Sequence, residues 1–213
     1  MRLVIANQNY SSWSLRPWFL LKIFNIPFEE IKLPLFTEEF EQRIGQLSPS
    51  RKVPALRDQD CVVWDSLAIC EYINETYCNG QASPSDVALR AHARAISAEM
   101  HSGFPNIRSQ MPMDCKRAPK AIEHSEALTK ELERVDHIWT QCREANHARG
   151  PWLFGTPSIA DALYAPLAIR FNSYAISNLS NIAQEYIQFL LSHPNMKEWI
   201  EAGQSESATI EWN

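Results

Sequence analysis

Two short segments in the first third of the chain could hold a small peptide that carries a free carboxylate. Val53-Pro54 comes directly before a predicted strand, Ala55–Arg57, where the missing N–H and fixed φ of proline are well tolerated. Asp65-Ser66 begins a predicted helix, and the unpaired N–H groups at a helix N-terminus attract a carboxylate. We therefore expect an exposed peptide edge at Val53 and an anion site at Ser66.

A third polar segment, Asn9 to Arg16, lies between the first predicted strand and the first predicted helix and is rich in hydroxyl groups. Hydroxyls that precede a helix N-terminus can stabilise an anion, such as a thiolate. Serine is also a preferred helix cap, so Ser14 and Ser12 have a purely structural alternative.

The elements that must position these residues follow from the hydrophobic pattern. The first 80 residues alternate in the order βαβ, helix, ββα, which predicts a mixed sheet. Strands are expected at Leu3–Ala6, Phe28–Lys32, Ala55–Arg57 and Cys61–Trp64, and helices at Leu15–Phe24, Glu38–Gln46 and Ser66–Tyr77. The first helix is apolar almost all round, so we expect it to be buried.

After a polar linker, Cys78 to Ser85, no strand pattern recurs. Ser158 and Asp161 form a capping-box pattern, which is a folding signal. Helices are expected at Asp86–Gln110, bent near Pro105, and at Lys120–Asn146, Ala162–Phe171, Ile182–Ser192 and Met196–Ala202. The prediction is an α/β domain over residues 1–80 followed by an all-helical domain over 86–213.

Composition excludes several classes of protein. The chain has 213 residues and a net charge of −5, which argues against a nucleic-acid or anionic-membrane partner. No stretch approaches the roughly 20 apolar residues of a membrane span, and the apolar N-terminus is too short for a signal peptide. Five cysteines without a CxxC motif indicate reduced thiols in a cytoplasmic protein, with no disulfide scaffold and no metal site.

The pattern Val-Pro-x-Leu followed by Asp-Ser resembles the glutathione-binding half of cytosolic glutathione transferases. The run Ser-Ser-Trp-Ser-Leu-Arg from Ser11 to Arg16 is similar to the zeta-class Ser-Ser-Cys-Ser-Trp-Arg. The stretch Glu99–Arg108 looks like a bacterial transferase subgroup and not like the zeta class proper. This resemblance covers nearly the full length. It implies a thioredoxin-like N-terminal domain, a helical second domain, a homodimer and glutathione as co-substrate.

The resemblance also implies roles for single residues. Ser11 occupies the position of the serine that activates the glutathione thiol and Ser12 that of its companion, while Tyr10 is a competing donor. Binding of glutathione falls to Lys52 at the glycyl carboxylate, to the backbone of Val53 before a cis Pro54, and to Asp65 and Ser66 at the γ-glutamyl end.

These roles predict a serine-type transferase that conjugates glutathione to a small hydrophobic electrophile in detoxification. One alternative is a zeta-like, glutathione-dependent cis–trans isomerase of a maleyl-type diacid. Arg16 favours the isomerase, whereas Trp13 in place of the zeta-class cysteine counts against it. A protein that binds glutathione or another ligand without catalysis is the other alternative.

Overall fold

The computed structural model describes residues 1–210, and its first part is a four-stranded sheet with three helices. The elements in chain order are β1 (Arg2–Ile5), α1 (Ser12–Ile23), β2 (Glu29–Lys32), α2 (Glu38–Leu47), β3 (Ala55–Asp58), β4 (Cys61–Trp64) and α3 (Ser66–Thr76). The strand order is β2–β1–β3–β4, with β1 and β2 parallel and the other neighbours antiparallel. The expected order of elements and the mixed sheet are therefore confirmed.

The second part is helical. Its helices are α4 (Val87–Ser102), α5 (Pro105–Gln110), α6 (Glu126–Asn146), α7 (Ile159–Ser173), α8 (Asn181–Ser192) and α9 (Pro194–Ser205). None of the helices within residues 1–210 is long and apolar enough to cross a membrane. The domain ranges 1–80 and 86–213 stay a prediction, and residues 211–213 lie outside the described part of the chain.

The prediction of one bent helix over Asp86–Gln110 was wrong. The chain leaves the helix after Ser102, and Phe104 adopts a left-handed conformation with φ 59° and ψ 48°. A proline disfavours the α conformation in the residue before it, whereas proline itself fits the first position of a helix. Pro105 therefore begins a separate helix.

The helix predicted over Lys120–Asn146 begins later than expected, at Glu126. Ser125 is its N-cap, because its Oγ accepts a hydrogen bond from the Leu128 N–H at 3.1 Å. A side-chain acceptor at this position satisfies a backbone N–H that has no partner within the helix. The capping serine therefore sets the start of α6.

Helices α1 and α7 pack against each other at the centre of the molecule. Nine of the 12 residues of α1 are buried, which confirms the expectation from its apolar sequence. Burial is more complete in α7, where 14 of 15 residues are buried, including Asp161 and Arg170. Because buried charges are costly without partners, these two side chains must be held by specific hydrogen bonds.

The predicted capping box is present at the start of α7. The Ser158 Oγ accepts from the Asp161 N–H at 3.4 Å, and the Asp161 Oδ2 accepts from the Ser158 N–H at 3.0 Å. The Asp161 Oδ1 also accepts from the Leu153 N–H at 2.9 Å and from the Tyr186 hydroxyl at 2.7 Å. This carboxylate thus joins the preceding loop, α7 and α8.

Candidate functional site

Two cavities adjoin: the smaller is formed by the sheet-containing part, and the larger lies between this part and helices α5 and α7. The smaller, of about 330 Å³, is lined by five of the predicted binding residues: Lys52, Val53, Pro54, Asp65 and Ser66. The larger, of about 650 Å³, is lined by both predicted catalytic serines, Ser11 and Ser12. Trp13, Lys52 and Val53 line both cavities, so the two form one continuous site.

The peptide bond between Val53 and Pro54 is cis, as the resemblance implies. Pro54 is buried directly before β3, whereas Val53 is half-buried. Within residues 1–210, neither the N–H nor the C=O of Val53 takes part in a backbone hydrogen bond. A peptide ligand could therefore pair with the main chain of Val53 as a neighbouring strand does.

Asp65 and Ser66 stand at the N-terminus of α3, as predicted. Asp65 is the N-cap, and its Oδ1 accepts from the N–H groups of Leu67 at 2.9 Å and Ala68 at 3.2 Å. Its φ of 76° is unusual for a residue other than glycine, and such backbone strain clusters at ligand sites. Ser66 is buried, and its Oγ accepts from the Arg16 Nη1 at 3.2 Å.

A histidine of the helical part reaches the same carboxylate. The Nε2 of His101 on α4 lies 3.0 Å from the Asp65 Oδ2, and its ring lies edge-on to Trp13 with centroids 5.4 Å apart. Burial lowers the pKa of His101, although Asp65 opposes this effect. Burial thus favours the neutral imidazole, whose Nε2 can carry a hydrogen that Asp65 accepts.

Trp13 contacts two guanidinium groups. The Cζ atoms of Arg16 and Arg108 lie 4.2 Å and 4.7 Å from the centroid of its ring. Arg16 is almost completely buried in α1, and burial together with the charge of Arg108 lowers its pKa to about 9. Its Nε has no hydrogen-bond partner in the described part of the chain. An anionic group of a ligand would offset this buried charge.

Ser11 and Ser12 are adjacent and equally buried but have different hydrogen bonds. Ser11 is the N-cap of α1: its Oγ accepts from the Ser14 N–H at 3.3 Å and donates to the Ser14 Oγ at 2.8 Å. Ser12 is the first helical residue, and its Oγ accepts from the Arg170 Nη2 at 3.1 Å. The helix begins three residues before the predicted Leu15 because Ser11 caps it.

The wall of the larger cavity carries four cationic side chains among apolar ones, and these four form the cationic wall. Its cations are Arg51, Lys52, Arg108 and Arg170, and its apolar residues include Leu35, Phe36, Phe40, Pro112 and Met113. No carboxylate from residues 1–210 lines it. Arg170 donates to the carbonyl oxygen of Met111, and burial together with the charge of Arg108 lowers its pKa to about 10.

Tyr10, the third candidate donor, also lines the larger cavity. Its hydroxyl accepts a hydrogen bond from the Ile210 N–H at 3.2 Å. The segment that follows α9 crosses this loop, where the Glu206 carboxylate accepts from the N–H groups of Gln8 at 2.9 Å and Asn9 at 3.2 Å. The C-terminal segment therefore holds the loop that carries the serines.

The structure thus brings all seven predicted residues to one site, while their individual roles stay predictions. The residues that the prediction left out are Trp13, Arg16, His101, Arg108 and Arg170. A lone charge within the apolar stretch Ala162–Phe171 was a usable signal, because Arg170 had to be buried with its helix. His101 and Arg108 lie on helices with polar faces and carried no such signal.

Within residues 1–210, no group of three or more His, Cys, Asp or Glu side chains could hold a metal ion. The five cysteines are free thiols.

Comparison with known proteins identifies relatives of this chain. Residues 10–76 match the family model described as "Glutathione S-transferase, N-terminal domain". A protein of Caenorhabditis elegans named "Probable maleylacetoacetate isomerase" is 38% identical over 195 residues, which cover 86% of this chain and 88% of the relative. An identity of this size over most of both chains shows a common family.

Two solved structures share the fold. A glutathione transferase homologue from Burkholderia with bound glutathione has a TM-score of 0.72 and 20% identity, over 96% of this chain and 98% of its own. A zeta-class bacterial maleyl pyruvate isomerase also has a TM-score of 0.72, with 21% identity over 98% and 100% of the two chains. The predicted fold class, a thioredoxin-like domain followed by a helical domain, is therefore confirmed.

Proposed function

The chain belongs to the glutathione S-transferase family, as an enzyme with glutathione as co-substrate, and we propose that it isomerises a maleyl-type diacid with a serine-activated thiolate. The bacterial subgroup stays a prediction. The single observation that carries the proposal is the cationic wall beside Ser11 and Ser12, which favours an anionic second substrate.

In this proposal glutathione occupies the smaller cavity. The main chain of Val53 pairs with the cysteinyl peptide, and Lys52 binds the glycyl carboxylate. Asp65 and Ser66 bind the γ-glutamyl end, where Arg16 adds a positive charge through its hydrogen bond to Ser66. The continuity of the two cavities past Val53 would then direct the sulfur toward the serines.

Activation of the thiol requires only a modest free energy. A thiol with a pKa of about 8.5 is a few per cent ionised at neutral pH, and lowering its pKa by two takes about 2.7 kcal/mol. A hydroxyl hydrogen bond to an ion contributes about 1.5–3 kcal/mol, and a helix N-terminus adds about 0.3–1 kcal/mol. One serine at the start of α1 therefore suffices.

The reaction uses the thiolate without consuming it. The sulfur adds to one alkene carbon, and the π electrons move to the adjacent carbonyl group as an enolate. Rotation about the new C–C single bond and expulsion of the thiolate then give the trans isomer, with no net gain or loss of protons. Arg108 and Arg170 stabilise the carboxylates and the enolate, because fixed cations in a partly dry site stabilise developing negative charge.

Conjugation to a small hydrophobic electrophile is the second candidate, in which the adduct takes up a proton and leaves. Trp13 in place of the zeta-class cysteine and the apolar residues of the cavity wall favour it. A glutathione-binding protein without catalysis is the third reading, and an absent shift in the thiol pKa would identify it.

One experiment separates these candidates. A maleyl-type diacid is incubated with the enzyme and glutathione while nuclear magnetic resonance follows the cis and trans acids and the free thiol. We expect trans acid to form while glutathione is conserved. Stoichiometric loss of glutathione would favour conjugation instead.

Arg108→Met tests the cationic wall in the same assay. It should lower kcat/KM for the diacid about 10- to 100-fold, which corresponds to one lost charge-assisted hydrogen bond. Turnover of a neutral aryl halide should fall much less. Arg43→Met, on the exposed face of α2, is the control and should leave both rates unchanged. Equal losses on both substrates would overturn the role of Arg108 in binding an anion.

We further infer a cytoplasmic homodimer with a role in detoxification. The five free thiols support a reducing compartment, and family membership supports the dimer. Light scattering of the purified protein tests the oligomeric state directly.

A further inference from the structure

We propose that the hydroxyl of Ser12, oriented by Arg170 of α7, donates the hydrogen bond that stabilises the glutathione thiolate. The sequence resemblance assigned this role first to Ser11. The inference rests on the proposed function, because it names the group that performs its first step.

The hydrogen bonds of Ser11 are committed to the fold. Its hydroxyl donates to the Ser14 Oγ at 2.8 Å, and its Oγ accepts from the Ser14 N–H. The Ser14 Oγ in turn accepts from the Ala6 N–H at 3.2 Å, just after β1. This chain of bonds ties the sheet to the start of α1. Ser11 could donate to a sulfur only by breaking its hydrogen bond to the Ser14 Oγ.

Ser12 is arranged differently. Its Oγ accepts from the Arg170 Nη2 at 3.1 Å, and no acceptor for its own hydrogen lies within residues 1–210. Its side chain lines the larger cavity, where the proposed function puts the sulfur. A cationic donor on a hydroxyl oxygen polarises the O–H bond and strengthens it as a donor. Ser12 is therefore ready to donate without any rearrangement of the loop.

Arg170 is held in place and lacks a counterion. Its Nη1 donates to the carbonyl oxygen of Met111, which leaves Nη2 directed at Ser12. No carboxylate of the described residues lies within ion-pair distance of this buried side chain. A buried charge without a partner is costly. A negative sulfur beside Ser12 would offset the charge of Arg170, so Arg170 favours the ionised form of the thiol.

The test is an ultraviolet titration of the thiolate of bound glutathione in the intact protein. The other charged groups that face the cavity are Arg51, Lys52 and Arg108, and all variants retain them. Upon ionisation the thiol proton passes to the solvent. We expect the thiol pKa in the native complex to lie well below that of free glutathione. Ser12→Ala should raise the thiol pKa by about 1 to 2, toward the value of about 8.5 for a free thiol.

Variants of the two partners complete the comparison. Ser12→Thr keeps a hydroxyl and should restore the low thiol pKa. Ser11→Gly removes the neighbouring hydroxyl with little loss of helix capping, and it should keep that pKa low. Arg170→Met should raise the thiol pKa, and Arg170→Lys should restore part of the effect.

Affinity measured at two pH values separates catalysis from folding. At low pH, where the thiol is protonated, Ser12→Ala should bind glutathione as the native protein does. At high pH, where the thiol is ionised, it should bind glutathione about 10-fold less tightly. This factor follows by linkage if the pKa of the bound thiol is higher by about 1 in Ser12→Ala than in the native protein. A low thiol pKa retained in Ser12→Ala, or an equal rise in Ser11→Gly, overturns the assignment. An ordinary thiol pKa in the native complex would instead overturn the proposed function itself.

Discussion

The carboxylate of Asp65 is held by His101, a residue of the helical part of the molecule. The Asp65 Oδ1 caps α3, while its Oδ2 lies 3.0 Å from the His101 Nε2. The proposed γ-glutamyl site is therefore positioned by two elements that are distant in sequence. Because Asp65 is about 42% exposed on its side chain, solvent reduces the strength of this contact.

Substitution of His101 should weaken glutathione binding. His101→Ala removes one of the two anchors of Asp65, and we expect the Kd for glutathione to rise about fivefold, which corresponds to about 1 kcal/mol. His101→Gln keeps a donor and should bind nearly as the native protein does. Isothermal titration calorimetry measures these values. The exposed His137 of α6 provides the control, His137→Ala, and an unchanged Kd in His101→Ala would mean that the cap alone positions Asp65.

A second relationship joins the last helix to the loop that carries the serines. A Cβ on Gly203 of α9 would lie 3.0 Å from the backbone N and Cα of Asn9. Gly45 of α2 differs, because a Cβ there would approach only the end of the Arg51 side chain, at 3.1 Å. The two glycines therefore form a matched pair, one against backbone and one against a flexible side chain.

We expect the two alanine variants to differ in their effect on the free energy of unfolding. Gly45→Ala should raise the free energy of unfolding by about 0.5–1 kcal/mol, because alanine is the better helix former. Gly203→Ala should show no such gain and should lower kcat/KM severalfold, since the loop before α1 must move. Urea unfolding and steady-state kinetics measure the two effects. Equal stabilisation of both variants, with unchanged kinetics, would contradict the close approach of α9.

Much of the fold could be predicted because its signals are local. The apolar sequence of α1 and the Ser158/Asp161 box each specify a structure within a few residues, and both predictions are confirmed. The helix break at Phe104 could not be predicted from a local signal of this kind. A polar and apolar pattern that continues through Pro105 does not distinguish a bent helix from two helices.

The site likewise contains residues that local motifs predict and contacts that only the fold creates. The residues proposed to hold glutathione lie in short motifs around Val53 and Asp65, which sequence reasoning can recognise. The contact between Arg170 and Ser12 joins residues 158 positions apart, and only the packing of α7 on α1 brings them together. This contact was therefore out of reach of the sequence, although the cationic wall to which Arg170 belongs determines which substrate we propose.

The buried carboxylate of Asp161 should be a main source of stability. Asp161→Ala would leave the Leu153 N–H, the Ser158 N–H and the Tyr186 hydroxyl without acceptors, each at about 1–3 kcal/mol. We expect a loss of at least about 3 kcal/mol in urea unfolding. Ser158→Ala should cost only about 1 kcal/mol, the usual value of a helix cap. Similar losses in the two variants would contradict the central role of the carboxylate.

His193 links stability to pH through a cap that works only when the imidazole is neutral. Its Nδ1 accepts from the Asn195 N–H at 3.3 Å, at the start of α9. The ring is surrounded by Phe19, Trp152 and Phe189. Burial lowers the pKa of His193 below its ordinary value of 6.5. The folded protein therefore takes up this proton less readily than the unfolded chain.

The contribution of His193 is complete above pH 6.5 and is lost as the pH falls below that value. We expect the urea midpoint of the native protein to fall between about pH 7.5 and about pH 5.5. His193→Asn keeps a capping acceptor that does not titrate, so its midpoint should fall less. His101, whose pKa is also lowered by burial, contributes a decline of the same sign and should leave a residual slope. His137→Asn should behave as the native protein, and a native slope in His193→Asn would show that this cap does not sense pH.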